Sequence, residues 1–164
     1  MAKKQITINI KIGELVYDIA NKTYLQNRLD DAGDNFLAAA NAQTDDLPEC
    51  ENELLRNITT CMGVLYNELA NYINSDLSAT NNAIIDKKDM MVTLLVPMNF
   101  NSAALQHLTN VIHDYIVNYT IGLWYTKTNK KESELYITAS NGILPLIIKA
   151  ISKRRRPARG EQYK

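Results

Sequence analysis

The chain opens on a period of two. Ile6, Ile8, Ile10 and Ile12 fall on one side, with Thr7, Asn9 and Lys11 on the other. Alternating β-branched residues predict a half-buried strand or extended arm over 5–12. Gly13 is expected to break it. The period then lengthens. Leu15, Val16, Ile19, Ala20 and Tyr24 recur near 3.6 residues and predict a helix over 14–28. Residues 30–47 hold Asp30, Asp31, Gly33, Asp34, Asp45 and Asp46 around the apolar piece Phe36 to Ala42. That pattern reads as loop, short helix, loop.

Asp46 and Pro48 announce a second long helix, and Glu49, Glu51 and Glu53 suit its positive N-terminus. Its stripe is Leu54, Ile58, Cys61, Leu65, Leu69, Tyr72 and Ile73, so it is expected over 49–75. Residues 75–90 are polar and Asn-rich, a loop. Val92, Leu94, Val96 and Met98 alternate again and predict a second strand over 91–98. Pro97 gives no ladder hydrogen bond, which places the end of that strand at a sheet edge.

Asn99 to Ser102 supplies a helix cap. A helix over 102–126 carries Leu105, Leu108, Ile112, Tyr115, Ile116, Tyr119, Leu123 and Trp124. A last helix over 132–153 carries Leu135, Tyr136, Ala139, Ile143, Ile147 and Ile151. Pro145 lies inside it and predicts a kink or break near Gly142 to Leu144. The expectation is a mainly α protein: a bundle of about four helices with two short β-strands. The first strand has two candidate partners, the second strand or a neighbouring subunit. Residues 1–152 make one helical domain and 153–164 a basic, flexible tail.

Length and composition narrow the class. The chain has 164 residues, 46% hydrophobic and 22% charged. One domain of that size buries roughly 70% of its unfolded surface without a metal or disulfide. Without a run of about 18 apolar residues, no transmembrane helix is expected. The alternating N-terminus does not read as a signal peptide, which points to synthesis in a cytoplasm. Asn is unusually frequent, 18 residues in all. That frequency makes chance sequons common, and Asn57-Ile58-Thr59 and Asn118-Tyr119-Thr120 are read so.

Catalytic chemistry finds little to hold. His107 and His113 are six residues apart and point about 120° away from each other on a helix. Only Asp114 stands beside His113 as an orienting acid. Cys50 and Cys61 share a helix, about 16 Å apart along it, too far for a disulfide. Neither pair has zinc-site spacing. The segment Asp30 to Asp34 lacks the order of a calcium loop. There is no glycine-rich phosphate loop. No catalytic or metal-ligating residue and no cofactor is expected. Tyr115, Tyr119 and Trp124 form an aromatic stripe that suits a core or a subunit interface.

Charge is the unusual feature. Lys plus Arg and Asp plus Glu are both 18, so the net charge is zero. The zero is a cancellation. From Lys149 to Lys164 there are seven basic residues and one acidic, net +6, which leaves −6 for the rest. Lys153, Arg154, Arg155, Arg156 and Arg159 are therefore candidate contacts to an acidic protein surface or to a polyanion. A solubilising tail is the third reading. The arm Ile6, Ile8, Ile10 and Ile12 is a candidate for strand addition to a neighbour.

The last third also resembles a known class. A strand ends in Leu95-Val96-Pro97-Met98-Asn99-Phe100-Asn101. A helix follows with Asp114-Tyr115-Ile116-Val117-Asn118 and Gly122-Leu123-Trp124-Tyr125. Then come Glu134-Leu135-Tyr136, another helix, and the closing Lys153-Arg154-Arg155-Arg156-Pro157. This order, over about residues 90–160, resembles small virion proteins of tailed bacteriophages and prophages, of the head–tail connector or neck type. The resemblance implies a ring-forming structural adaptor without enzymatic activity or cofactor. It implies a homo-oligomer that meets portal, tail or other neck proteins, made in the host bacterial cytoplasm and placed in the virion. The alternative is a small helical accessory protein that binds nucleic acid through its basic tail. Neither reading involves a membrane.

Overall fold

A computed structural model describes residues 3–30, 48–73, 82–85 and 88–155. In chain order it contains β1 (Lys3–Ile10), α1 (Ile12–Asp30), α2 (Pro48–Glu68) and β2 (Met90–Pro97). A 3-10 turn (Ser102–Ala104), α3 (Leu105–Thr128) and α4 (Lys130–Ile151) complete it. Among the described residues the architecture is mainly helical, four helices with one two-stranded antiparallel sheet. The expected short helix at Phe36 to Ala42 and most of the 75–90 loop lie outside the described residues.

The first strand pairs within its own chain. Its register sets Lys3 opposite Pro97, Ile6 opposite Leu94, Ile8 opposite Val92 and Ile10 opposite Met90. Alternation then turns Ile8 and Ile10 to the same buried face as Val92, Leu94 and Val96. Pro97 is the last residue of the ladder, and its missing N–H lies on the side away from β1, so it costs that pairing no hydrogen bond. Ile12 departs from the arm. It is the first residue of α1 and is fully buried. The Leu15 N–H donates to the Lys11 carbonyl at 3.2 Å, so helical bonding begins before the strand pattern ends. Gly13 accordingly sits in the first turn of α1 rather than in a break.

The other side of β2 is met by a short piece that sequence alone assigns to a helix. α2 stops at Glu68, well before the expected end at 75. The chain turns there, and the Leu95 N–H donates to the Tyr72 carbonyl at 2.6 Å while Ile73 bridges Leu94. Tyr72 and Ile73 keep their apolar positions but use their backbone for β2. Among the described residues, no segment pairs with the outer edge of β1.

The core lies between the inner face of the sheet and the helices. Leu15 and Ile19 from α1, Ile58, Cys61 and Leu65 from α2, and Leu108, Ile112 and Ile116 from α3 are fully buried. A hydrogen bond at 2.8 Å between His113 Nε2 and Asp18 Oδ2 ties α3 to α1. An ion pair at 2.6 Å between Lys127 and Glu53 ties α3 to α2. α3 and α4 make the most extensive helix–helix contact. There the Ser133 hydroxyl donates to the Gly122 carbonyl at 2.8 Å.

Pro145 does not break α4, which runs unbroken to Ile151. Pro145 and Asn141, four residues earlier, are both exposed. A carbonyl that loses its helical partner on an exposed stretch can be satisfied by water. α4 also corrects the reading of apolar length. By length and composition alone it reaches what a bilayer-crossing helix needs, because such a stretch tolerates a few polar residues.

Candidate functional site

The basic tail is where the structure adds most, and its first residues are built into the fold. α4 ends on Ser152, whose hydroxyl donates to the Ile148 carbonyl at 3.0 Å. The chain then turns back along the segment after β2. The Asn101 N–H donates to the Lys153 carbonyl at 3.0 Å, and the Arg155 N–H donates to the Asn99 carbonyl at 2.8 Å. Between these bonds Arg154 bridges Phe100 in antiparallel fashion. Phe100 itself is buried in the core. The first three residues of the expected flexible tail, Lys153, Arg154 and Arg155, thus pair with the backbone of 99–101. Arg156 and Arg159 lie outside the described residues.

The register of the sheet brings the N-terminus to the same place. Lys3 stands opposite Pro97 and Lys4 opposite Val96. The Lys4 ammonium lies 5.6 Å from the centroid of the Phe100 ring, a cation–π distance. The Lys3 ammonium reaches the Asn71 carbonyl at 3.4 Å. On the other side Arg155 reaches the Ser102 hydroxyl at 3.4 Å. Five basic residues, Lys3, Lys4, Lys153, Arg154 and Arg155, thus meet at one end of the molecule.

A cleft of about 460 Å³ opens among them. Lys3 and Arg154 stand at its rim, and Tyr72, Leu95, Pro97 and Met98 give it an apolar wall. Cationic rim and apolar wall together suit an extended anionic chain that also presents apolar groups. Sequence reasoning found the C-terminal half of this cluster and missed Lys3 and Lys4. The signal was present in the two alternating runs. Pairing them antiparallel brings Lys3 and Lys4 toward the end of the second run, but matching the runs 5–12 and 91–98 end to end misses the observed Lys3–Pro97 register by three residues.

The other candidates are placed elsewhere. Ile6 is half-buried, and Ile8, Ile10 and Ile12 are buried in their own chain, so none offers its side chain to a neighbour. What β1 still offers is its backbone edge. Tyr115 and Trp124 are buried, and half-buried Tyr119 stacks on Tyr115 with centroids 5.8 Å apart. These aromatics belong to the core. Burial pushes the Tyr115 hydroxyl well up from its ordinary 10.0, with Cys61, Tyr119 and Glu68 adding to the rise. Burial raises the Cys61 thiol strongly too.

His113 takes Asp18 of α1 as its partner rather than Asp114, and no described Ser or Cys hydrogen-bonds to it. His107 is exposed. Cys50 and Cys61 are both free thiols on α2. Among the described residues, no group of three or more His, Cys, Asp or Glu stands ready for a metal ion. No protein-family model, no curated protein and no solved structure matches the chain.

Proposed function

We propose that the chain is a non-enzymatic structural subunit of a tailed-phage virion, a ring-forming adaptor of the head–tail connector or neck kind. The resemblance over residues 90–160 suggests this role, and the outer edge of β1, unpaired among the described residues, is the observation that carries it. An eight-residue strand with one unpaired edge is normally covered. A neighbouring chain that adds a strand to it closes the gap. Repeated head to tail, such a contact closes into a ring when the rotation allows. Portal, tail or neighbouring neck proteins are the partners on this reading, and the finished subunit resides in the virion.

The edge can be tested without harming the fold. Because the Leu95 N–H points away from β1 toward Tyr72, Leu95 and its opposite Gln5 form a non-hydrogen-bonded pair. Thr7 and Thr93, two residues on, are the same. The Thr7 N–H therefore points outward, and Thr7→Pro removes an outer donor while sparing the β1–β2 ladder. Native mass measurement of the full chain should show assemblies larger than a pair, and Thr7→Pro should abolish them with circular dichroism unchanged. A chain that makes no such assembly and joins neither portal nor tail particles overturns the reading.

The five-residue basic end favours one further reading, contact with DNA or RNA through phosphates. In a neck ring it would face the nucleic acid in the channel; alone it would make the chain an accessory nucleic-acid-binding protein. Such contact is blind to sequence and sensitive to salt. If both Lys3 and Lys4 touch phosphate, changing both to Ala lowers the log–log salt slope of DNA binding by about 2. An unchanged slope, or no binding at low salt, rejects this reading.

A further inference from the structure

α4 is apolar on two sides and uses only one of them. Ser140, Ile147 and Ile151 are buried on the side facing α3 and the core. Among the described residues, no element covers the opposite side. Leu135 is 57% exposed and Leu146 46% exposed, and Ala139 and Gly142 between them are exposed as well. These four continue into Glu132 at one end and Lys149 at the other. Glu132, Leu135, Ala139, Gly142, Leu146 and Lys149 follow one another at steps of 3, 4, 3, 4 and 3. That is the alternation of a heptad seam, the stripe by which one helix lies along another.

Gly142 and Ala139 make the middle of this stripe narrow. A methyl group on the Gly142 Cα would meet no atom within 4 Å, as is also true of Gly63 in α2, so the glycine leaves room on this face without itself identifying a partner.

We infer that this face of α4 binds the same face of a second copy, antiparallel, about a two-fold axis. The seam reads the same in reverse once paired. In the antiparallel arrangement Glu132 meets Lys149, Leu135 meets Leu146 and Ala139 meets Gly142 of the second copy, and the axis repeats each layer. Opposite charges close both ends. A parallel pair would set Glu132 against Glu132 and Lys149 against Lys149. The charges therefore select the antiparallel two-fold pair, and the small residues at its centre let the helices come close. The pair does not rest on the adaptor reading, since it uses neither the β1 edge nor the basic end.

Sedimentation of the full chain over a dilution series tests the pair. The wild type forms a reversible dimer, and Thr7→Pro leaves that dimer intact. Glu132→Lys or Lys149→Glu weakens it by roughly tenfold, because the axis repeats the like-charge contact. Mixing the two variants restores it as a heterodimer, in which every end is again paired with its opposite. Leu146→Glu abolishes it with helix content unchanged. A wild type that stays monomeric at high concentration overturns the inference. So does a dimer indifferent to Leu146→Glu, or a mixture that fails to recover. Binding to phosphatidylcholine vesicles that Leu146→Glu removes, without self-association in solution, overturns it in favour of a lipid surface.

Discussion

Gly122 faces Ile137 across the α3–α4 crossing so closely that a methyl on its Cα would stand 2.7 Å from Ile137 Cγ1 and 3.2 Å from the Ile137 nitrogen. Neither atom yields cheaply, since Cγ1 is near the root of its side chain and the nitrogen is backbone. Gly122→Ala gains helix propensity and loses more to overpacking, for a net cost of about 1–2 kcal/mol. Gly142→Ala is the control on the open face of α4. There the methyl meets nothing, and the same change stabilises the dilute chain by about 0.5–1 kcal/mol. Urea unfolding of both variants at low concentration should show midpoints moving in opposite directions.

A second prediction concerns Thr120, fully buried on α3. Its hydroxyl is buried with no hydrogen-bond partner. Replacing it with a methyl of the same shape removes a desolvated polar group and opens no cavity. Thr120→Val should raise stability by about 1 kcal/mol. Thr120→Ser keeps the hydroxyl, deletes a methyl and should lower stability. An increased urea midpoint at unchanged slope for Val, and a decrease for Ser, is the expected pair of results.

The cluster of Cys61, Tyr115 and Tyr119 predicts an alkaline weakness. Burial holds these groups protonated above their ordinary values, 9.0 for the thiol and 10.0 for the phenols. Tyr66 is shifted the same way by burial. A raised folded-state value means that the folded chain keeps protons the unfolded chain gives up. Stability is therefore intact below about pH 9 and falls above it, with a limiting slope of about 1.4 kcal/mol per pH unit for each group engaged. Cys61→Ala should remove the onset near pH 9 and leave the tyrosine phase that begins near pH 10. The same burial protects the thiol. A disulfide reagent at neutral pH should label half-buried Cys50 in the native chain and reach Cys61 only after unfolding.

Much of the helical framework was legible in periodicity, since long stripes such as Leu54, Ile58, Cys61 and Leu65 admit one regular reading. What escaped depended on partners distant in sequence. Ile12 continues a period of two, yet the start of α1 points it into the same core, so the pattern cannot separate strand end from helix start. Tyr72 and Ile73 continue the stripe of α2, but β2 takes up their backbone, and no local rule reveals that. Pro145 removes one helical bond, but the remaining bonds of a 22-residue helix carry α4 through it, so a single proline did not mark an element boundary. Tyr115 and Trp124 carried two readings at helical spacing, and only the packing of α2 on α3 places them inside. For the basic end, charge arithmetic found Lys153 to Arg155. Lys3 and Lys4 are some 150 positions away along the chain and join them only through the register of the sheet.

The strap after α4 yields the last prediction. Two backbone hydrogen bonds, Asn101 to Lys153 and Arg155 to Asn99, hold it against the segment that follows β2. Each is worth about 0.5–1.5 kcal/mol. A chain ending at Arg155 keeps both bonds and should match the full chain in urea unfolding. A chain ending at Ser152 leaves the Asn101 N–H and the Asn99 carbonyl without those partners and should lose about 1–3 kcal/mol. Hydrogen exchange gives a local check, because the Asn101 amide should exchange much faster in the shorter chain while amides of α3 keep their order of protection. Equal stability and equal exchange in the two truncations would mean that the basic segment is only tethered to the fold. A loss confined to the shorter one makes Lys153 to Arg155 a structural element that presents its charge from a fixed position.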